Sequence, residues 1–331
     1  MLFAGLLIFS SCNREDEEVH ATYADANWFV IPDKPGEFNQ LAYDIFQETG
    51  IPIFVNDTLG EEYYAVDAQG NPIFRTESFN IWYSLFGMMD RPDTHKGDCY
   101  IVQSADSAAM IKAATILRER VIPLLSPSGE FRPKCYFLVD SINDNYAATI
   151  GFSTAKFRME NLTCYSALKG IVVGQLCDIE TMTDEELDLW AGKILAVKIA
   201  PWIIATYEID ERLSEFYEIT NSEATNAKKT FYGQTYASYT TNYENDMFAK
   251  AGMFGWFVEG AYLSGSVTDN ARVTYTQESD IAEYVARVYA YRGKESKFKT
   301  EYEAYDKVIK KFDIIRQFVA EYEERYHVSV R

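Results

Sequence analysis

At 331 residues with 47% hydrophobic side chains, the chain has the length and composition of one large domain or two closely packed ones, which excludes a disordered or collagen-like protein. Its 50 acidic against 31 basic side chains leave a net charge of −19, which repels a phosphate backbone and excludes nucleic acid as a partner. Only three histidines are present, so little imidazole is available for metal or acid–base chemistry.

Residues 1–9 (MLFAGLLIF) form an apolar run too short to span a bilayer as a helix. Ser10-Ser11-Cys12 follows, and small residues just before a cysteine at the end of such a run resemble a bacterial lipobox. The resemblance implies that 1–11 is removed as a signal peptide and that Cys12 is diacylated as the first mature residue. Two acyl chains hold a protein stably on a membrane, where one holds it only marginally. Glu15-Asp16-Glu17-Glu18 resembles the export signal of Bacteroidetes lipoproteins, which implies an outer-membrane protein facing the cell exterior. Residues 12–25 then form a solvated acidic tether. An ordinary cleaved signal peptide or a buried N-terminal segment is the alternative reading.

The mature part, 26–331, contains no internal repeat or long linker and divides into two packed regions, about 26–180 and 181–331. Leu41, Ile45 and Phe46 predict a helix over 40–49 that stops at Gly50, and 51–55 predicts a strand. Residues 63–66 and 73–75 flank Ala68-Gln69-Gly70-Asn71 as a hairpin. Residues 107–125 predict a helix with Met110, Ala114, Leu117 and Val121 on one face and Pro123 near its end, and 134–139 (KCYFLV) predicts a buried strand.

Beyond 180 the chain reads as mostly helical. Thr183 and Glu186 form a capping box ahead of the stripe Leu187, Trp190, Ile194 and Val197. Pro201 lacks an amide donor and clashes one turn back, so that helix should kink or end near Ala200. Phe298, Tyr302, Tyr305, Ile309, Phe312, Ile315, Val319, Tyr322 and Tyr326 recur at three- and four-residue spacing as the packing stripe of a last long helix. Cys99, Cys135, Cys164 and Cys177 include no C-x-x-C pair, which argues against a zinc ribbon or a thioredoxin-like site. Their pairing stays open, and Cys135, inside an apolar strand pattern, is expected as a buried free thiol.

Four stretches carry a wider resemblance: Pro133-Lys134 with Leu138-Val139-Asp140-Ser141, Phe216-Tyr217-Glu218-Ile219, Gly255-Trp256-Phe257-Val258, and Glu278-Ser279-Asp280-Ile281-Ala282-Glu283. Behind a lipobox with an acidic tail and ahead of a long C-terminal helix, they resemble the substrate import-associated zinc metallohydrolase lipoproteins of Bacteroidetes. These are also described as zinc-binding metallopeptidases and are gluzincin-like. The resemblance covers most of the mature chain. It implies an α+β fold, with a small N-terminal sheet and helices followed by a mainly helical, zincin-like C-terminal half. It also implies TonB-dependent transporters and substrate-binding lipoproteins as partners in nutrient uptake.

Members of that family carry H-E-x-x-H on the long helix, where residues i and i+4 share a face, so that two imidazoles grip zinc and the Glu serves as general base. The corresponding stretch here is Lys198-Ile199-Ala200-Pro201-Trp202, and a further family histidine falls at Ala205. Lys198 is charged at neutral pH, Ile199 and Ala205 have no donor atom, and Trp202 offers no lone pair. The histidines, His20, His95 and His327, lie elsewhere. The expectation is therefore an inactive metallopeptidase-like protein with no metal, no other cofactor and no catalytic residue. Glu278, Asp280 and Glu283 match the helix start that supplies a carboxylate beside the metal in the family. The helix dipole favours acids in a first turn in any case, and that reading carries more weight. Asp210, Glu211 and Glu215 read as solvated helix charges.

Other chemistries find less support. There is no G-x-S-x-G, and the histidines are too scattered for a triad. The glycines of 252–265 lack the Lys-Ser/Thr end of a phosphate loop. A hydrolase using another metal or two carboxylates is the alternative, although nothing singles out a pair. Residues 230–257 hold four Tyr, four Phe and one Trp among small polar residues, which favours a third reading, a glycan- or peptide-binding module. Tyr236, Tyr239 and Tyr243 are its candidate contacts, although most of these rings are expected to pack between helices.

Overall fold

A computed structural model describes residues 28–79, 100–150, 153–167, 169–224, 230–236, 246–263 and 266–328. Cys12 and its tether, His20, His95, Cys99, Tyr239 and Tyr243 lie outside them. The fold is mixed α+β, as expected.

Helix α1 (Glu37–Thr49) ends where Gly50 adopts φ 71° and donates to the Phe46 carbonyl, the left-handed stop that glycine accepts without a Cβ penalty. Strand β1 (Ile53–Phe54) follows. The hairpin of β2 (Thr58–Val66) and β3 (Pro72–Ser78) closes over Asp67, whose Oδ1 accepts from the Gln69 and Asn71 amides. After β4 (Tyr100–Val102), α2 (Ser107–Ile116) is capped by the Asp106 side chain. The chain then loosens into a π turn (Leu117–Val121) and a 3-10 turn (Ile122–Leu124) containing Pro123. The predicted span is right, but only its first part is α-helix, because a proline cannot supply the ladder donor.

Strands β5 (Tyr136–Leu138), β6 (Ser141–Ile150), β7 (Ser153–Met159), β8 (Cys164–Ser166) and β9 (Ile171–Val173) come next. One sheet runs β1-β5-β9-β8, with β1, β5 and β9 parallel and β8 antiparallel at the edge. Tyr136 and Leu138 join the large core with the helices, while Phe137 and Val139 enter a second core with Phe54, Phe79 and Val172. A strand buried on both faces reads as a continuous apolar run, which is why KCYFLV is legible as a strand. Cys135 is buried there as a free thiol, and Cys164 and Cys177 are also free.

Short α3 (Leu176–Ile179) leads to α4 (Asp184–Tyr207), whose Thr183–Glu186 capping box forms as predicted. Helix α4 does not end at Ala200; it continues through Pro201 to Tyr207. A helix-interior proline costs about 3 kcal/mol, but Ile199, Ala200, Trp202 and Ile203 are all buried around it, and their packing holds the helix together. Among the described residues, α4 is the helix long and apolar enough to cross a membrane, and over half of its most apolar stretch is buried inside the protein.

Helix α5 (Glu211–Asn221), β10 (Thr235–Tyr236), α6 (Met247–Lys250), β11 (Val258–Leu263) and β12 (Ser266–Val273) precede α7 (Gln277–Ala290), α8 (Glu295–Glu301) and α9 (Asp306–Tyr326). The region beyond 180 is thus less purely helical than expected. Strands β10, β12 and β11 extend β7, β6 and β4 into a six-stranded sheet, with Tyr262 opposite Lys156. Their sequences, TY, VEGAYL and SVTDNARV, show little alternation of apolar and polar residues, and the pairing partner lies about a hundred residues upstream.

The last stripe is also two helices rather than one. The break at 302–305 lets Phe298 stack on Phe312, ring centroids 3.9 Å apart at 18°. In one continuous helix those rings would be separated by roughly 21 Å of rise.

Candidate functional site

Helix α7 carries the acids that the sequence singles out, and its register is set by a reciprocal cap between Thr276 and Ser279. It packs along α4 at close range, because Gly192 has no side chain and a Cβ there would collide with the Ala286 carbonyl. Two of its acids, Asp280 and Glu283, stand three positions apart, yet they enter different surroundings.

Glu283 is mostly buried between α7 and α4. Arg287, one turn on, donates to its carboxylate, and Lys193 Nζ on α4 stands 3.9 Å away. The Arg287 guanidinium lies 3.7 Å above the Phe254 ring. Burial pushes the Glu283 carboxyl up, but the charges of Arg287 and Lys193 outweigh it and hold the group below its ordinary value. The edge strand β8 closes one side: Cys164 Sγ is 3.5 Å from the Lys193 carbonyl, and burial raises its thiol to about 12. A thiol so protonated is a poor nucleophile at neutral pH.

Asp280 is wholly buried, and its partner is Lys311 of α9, also wholly buried. Lys311 Nζ donates to Asp280 Oδ2, to Thr220 Oγ1 at 2.7 Å and to the Gly252 carbonyl at 2.9 Å. Tyr232 donates its hydroxyl to the same Asp280 oxygen at 2.8 Å, and Tyr284 donates to Gly252 at 2.8 Å. The ammonium also lies 4.2 Å from the Phe216 ring centroid and 4.9 Å from that of Tyr284. Burial lowers the Lys311 pKa to about 8 and raises that of Asp280, against the mutual attraction of the pair. Helices α5, α7 and α9 meet at this centre with Tyr232 and Gly252.

Glu278 is exposed in the first turn of α7, where the dipole accounts for it. On α4, the residue that reaches Glu283 is Lys193. At 100° per residue, Lys198 stands about 140° around the helix from it, and Trp202 stands about 180° away. Lys198 donates instead to the Glu130 carbonyl at 3.4 Å. Ile199 is fully buried, Ala205 is exposed, and Trp202 packs edge-on against Tyr322 at 4.9 Å and Tyr207 at 5.5 Å. The structure therefore does not bring the family-derived positions to the helix acid. It brings Lys193, which the sequence did not single out.

Arg287 had a readable signal, a glutamate four residues upstream on a helix. Lys311 had none, because a lysine beside an apolar stripe usually snorkels to water.

Tyr236 lies in β10, opposite Arg272. His327 caps α9 in the left-handed conformation, φ 53°. Asp210 caps α5 and pairs with Arg212, and Glu215 pairs with Lys310 at 2.6 Å. These acids serve the helix surface.

The donor set does not suit zinc. The Glu283 carboxylate is engaged by Arg287, and the α4 side chain that reaches it is an ammonium with no lone pair to offer. Among the described residues no three His, Cys, Asp or Glu side chains gather as a metal cage. Asp280 has the raised pKa of a candidate acid, but it is enclosed and tied to Lys311 rather than paired with a second carboxylate across a cleft. In comparison with known proteins, the chain matches no family model, no curated protein and no solved structure.

Proposed function

We propose that this chain is a surface-anchored outer-membrane lipoprotein on a zincin-like, metallopeptidase-derived scaffold without a zinc site, and that it acts as an accessory to TonB-dependent nutrient capture. The carrying observation is the Lys193–Glu283–Arg287 cluster. A long helix, α4, faces a second helix, α7, that presents a carboxylate to it, although the α4 side chain that meets it is Lys193 and not one of the positions aligned with the family's zinc motif. The positive charge beside that carboxylate comes from two side chains. A cation supplied by the protein makes a metal ion redundant there, so the scaffold serves binding or assembly rather than hydrolysis.

Elemental analysis of the purified mature protein, after incubation with zinc and removal of the excess, tests the loss of the metal. Well under one zinc per chain is expected, with no change in Glu283→Gln. About one zinc per chain, lost in that variant, would overturn the reading. Anchoring is tested separately by incorporation of labelled palmitate, expected in the intact chain and absent in Cys12→Ala. Label retained in that variant, or never incorporated, would remove the lipoprotein part.

A further inference from the structure

The flank of α4 turned away from Glu283 borders a cavity of about 290 Å³. On α4 it is lined by Asp188, Ala191, Gly192 and Leu195, a stripe whose centre lies about 150° around the helix from Lys193. Leu124 and the ring of Tyr289 complete an apolar wall, and Glu119, Arg120 and Arg292 join Asp188 in supplying charges of both signs.

The polar groups here are held in place but not used up. Arg120 Nη1 donates to Asp188 Oδ1 at 2.8 Å, and Lys294 Nζ donates to Asp188 Oδ2 at 3.2 Å. Those two bonds fix one guanidinium and leave its other N–H groups without an acceptor among the described residues. Arg292 pairs with Glu323 and lies 4.9 Å over the Tyr289 ring. Glu119 is exposed and joins no ion pair among the described residues.

An apolar wall, a guanidinium pair and a nearby carboxylate call for a small ligand that is apolar in the middle and charged with both signs at one end. We infer that the cavity binds a free amino acid with an aliphatic side chain. Its carboxylate accepts from Arg120 and Arg292, its ammonium meets Glu119, and its side chain lies against Leu124, Leu195 and the Tyr289 ring. The size agrees: at about 30 Å³ for each water-sized atom, the space holds roughly ten heavy atoms. It falls at the lower edge of ordinary ligand pockets. The inference rests on this cavity alone and not on the lipoprotein reading.

Calorimetric titration of the whole chain with L-leucine tests it, with 4-methylpentanoate and isoamylamine as probes that keep only the carboxylate or only the ammonium. One leucine should bind per chain, with each half-charged analogue weaker by about tenfold or more. Arg120→Gln alters a partly exposed side chain, so it should fold normally by circular dichroism and weaken leucine binding by about tenfold. Absence of leucine binding at millimolar concentration, equal binding of either analogue, or unchanged binding in a folded Arg120→Gln would each overturn the inference.

Discussion

Asp280 and Glu283 lie less than one turn apart on the same helix, and each is paired with a basic residue, yet they have opposite physical characters. Asp280 meets Lys311 with neither side chain exposed, and the pair is surrounded by Thr220, Tyr232, Phe216 and Tyr284. Glu283 meets Arg287 and Lys193 with 18% of its side chain still exposed. In the first cluster burial dominates and drives both groups toward their neutral forms. In the second the flanking cations dominate and keep the carboxylate charged. The first therefore acts as a buried pin holding α5, α7 and α9 together, whereas the second is an electrostatic plug between α4 and α7.

Breaking the pin should have the largest effect. Lys311→Met leaves Asp280 buried without its counter-charge, and a loss of about 3–5 kcal/mol is expected. Denaturant unfolding would measure it, and adding Asp280→Leu should recover most of the loss, because a buried pair replaced by apolar side chains is nearly neutral. No recovery in the double variant would mean that the hydrogen bonds to Thr220, Tyr232 and Gly252 matter more than the charges.

Glu283→Gln should cost less, about 1–3 kcal/mol, since solvent still reaches the partners it abandons. A loss equal to that of Lys311→Met would erase the distinction between the two clusters. The same variant sharpens the comparison through pH. A carboxyl held below its ordinary value when folded contributes stability that is fully present above the unfolded pKa of about 4.5. That stability is lost as pH falls through the lower folded value, because the unfolded state then binds the proton first. The gap between wild type and Glu283→Gln should therefore be steady near neutrality and shrink on acidification below about 4.5. A gap that widens there would reverse the assigned sign. The smallest effect belongs to Thr276→Ala, which removes the cap that sets the register of α7 and should cost about 1 kcal/mol without changing which partners the two acids meet.

Much of the local structure was legible from neighbouring residues. Gly50 stops α1, the turn at 68–71 closes the hairpin, Thr183 and Glu186 start α4, and 134–139 reads as a buried strand. The site was legible only in half. The acids of α7 stood out at a helix start, but their partners did not: Lys193 is ten positions beyond a cap, Lys311 sits beside an aromatic stripe, and neither belongs to a motif. Projecting a family motif onto Lys198 and Trp202 placed the matching face about 140° to 180° from the side chain that reaches Glu283.

By itself, then, the sequence determined what depends on a few adjacent residues: charge, helix starts and stops, turn closure, and which strand is buried. Backbone hydrogen bonds and φ restrictions act over four or five positions, so their signals are written in order along the chain. Only tertiary structure decided that α4 passes through Pro201, that 298–326 folds back as two helices, that β11 joins β7, and that Lys193 rather than Lys198 meets Glu283. Those outcomes depend on partners tens to a hundred residues away, where packing and charge pairing outweigh any local preference.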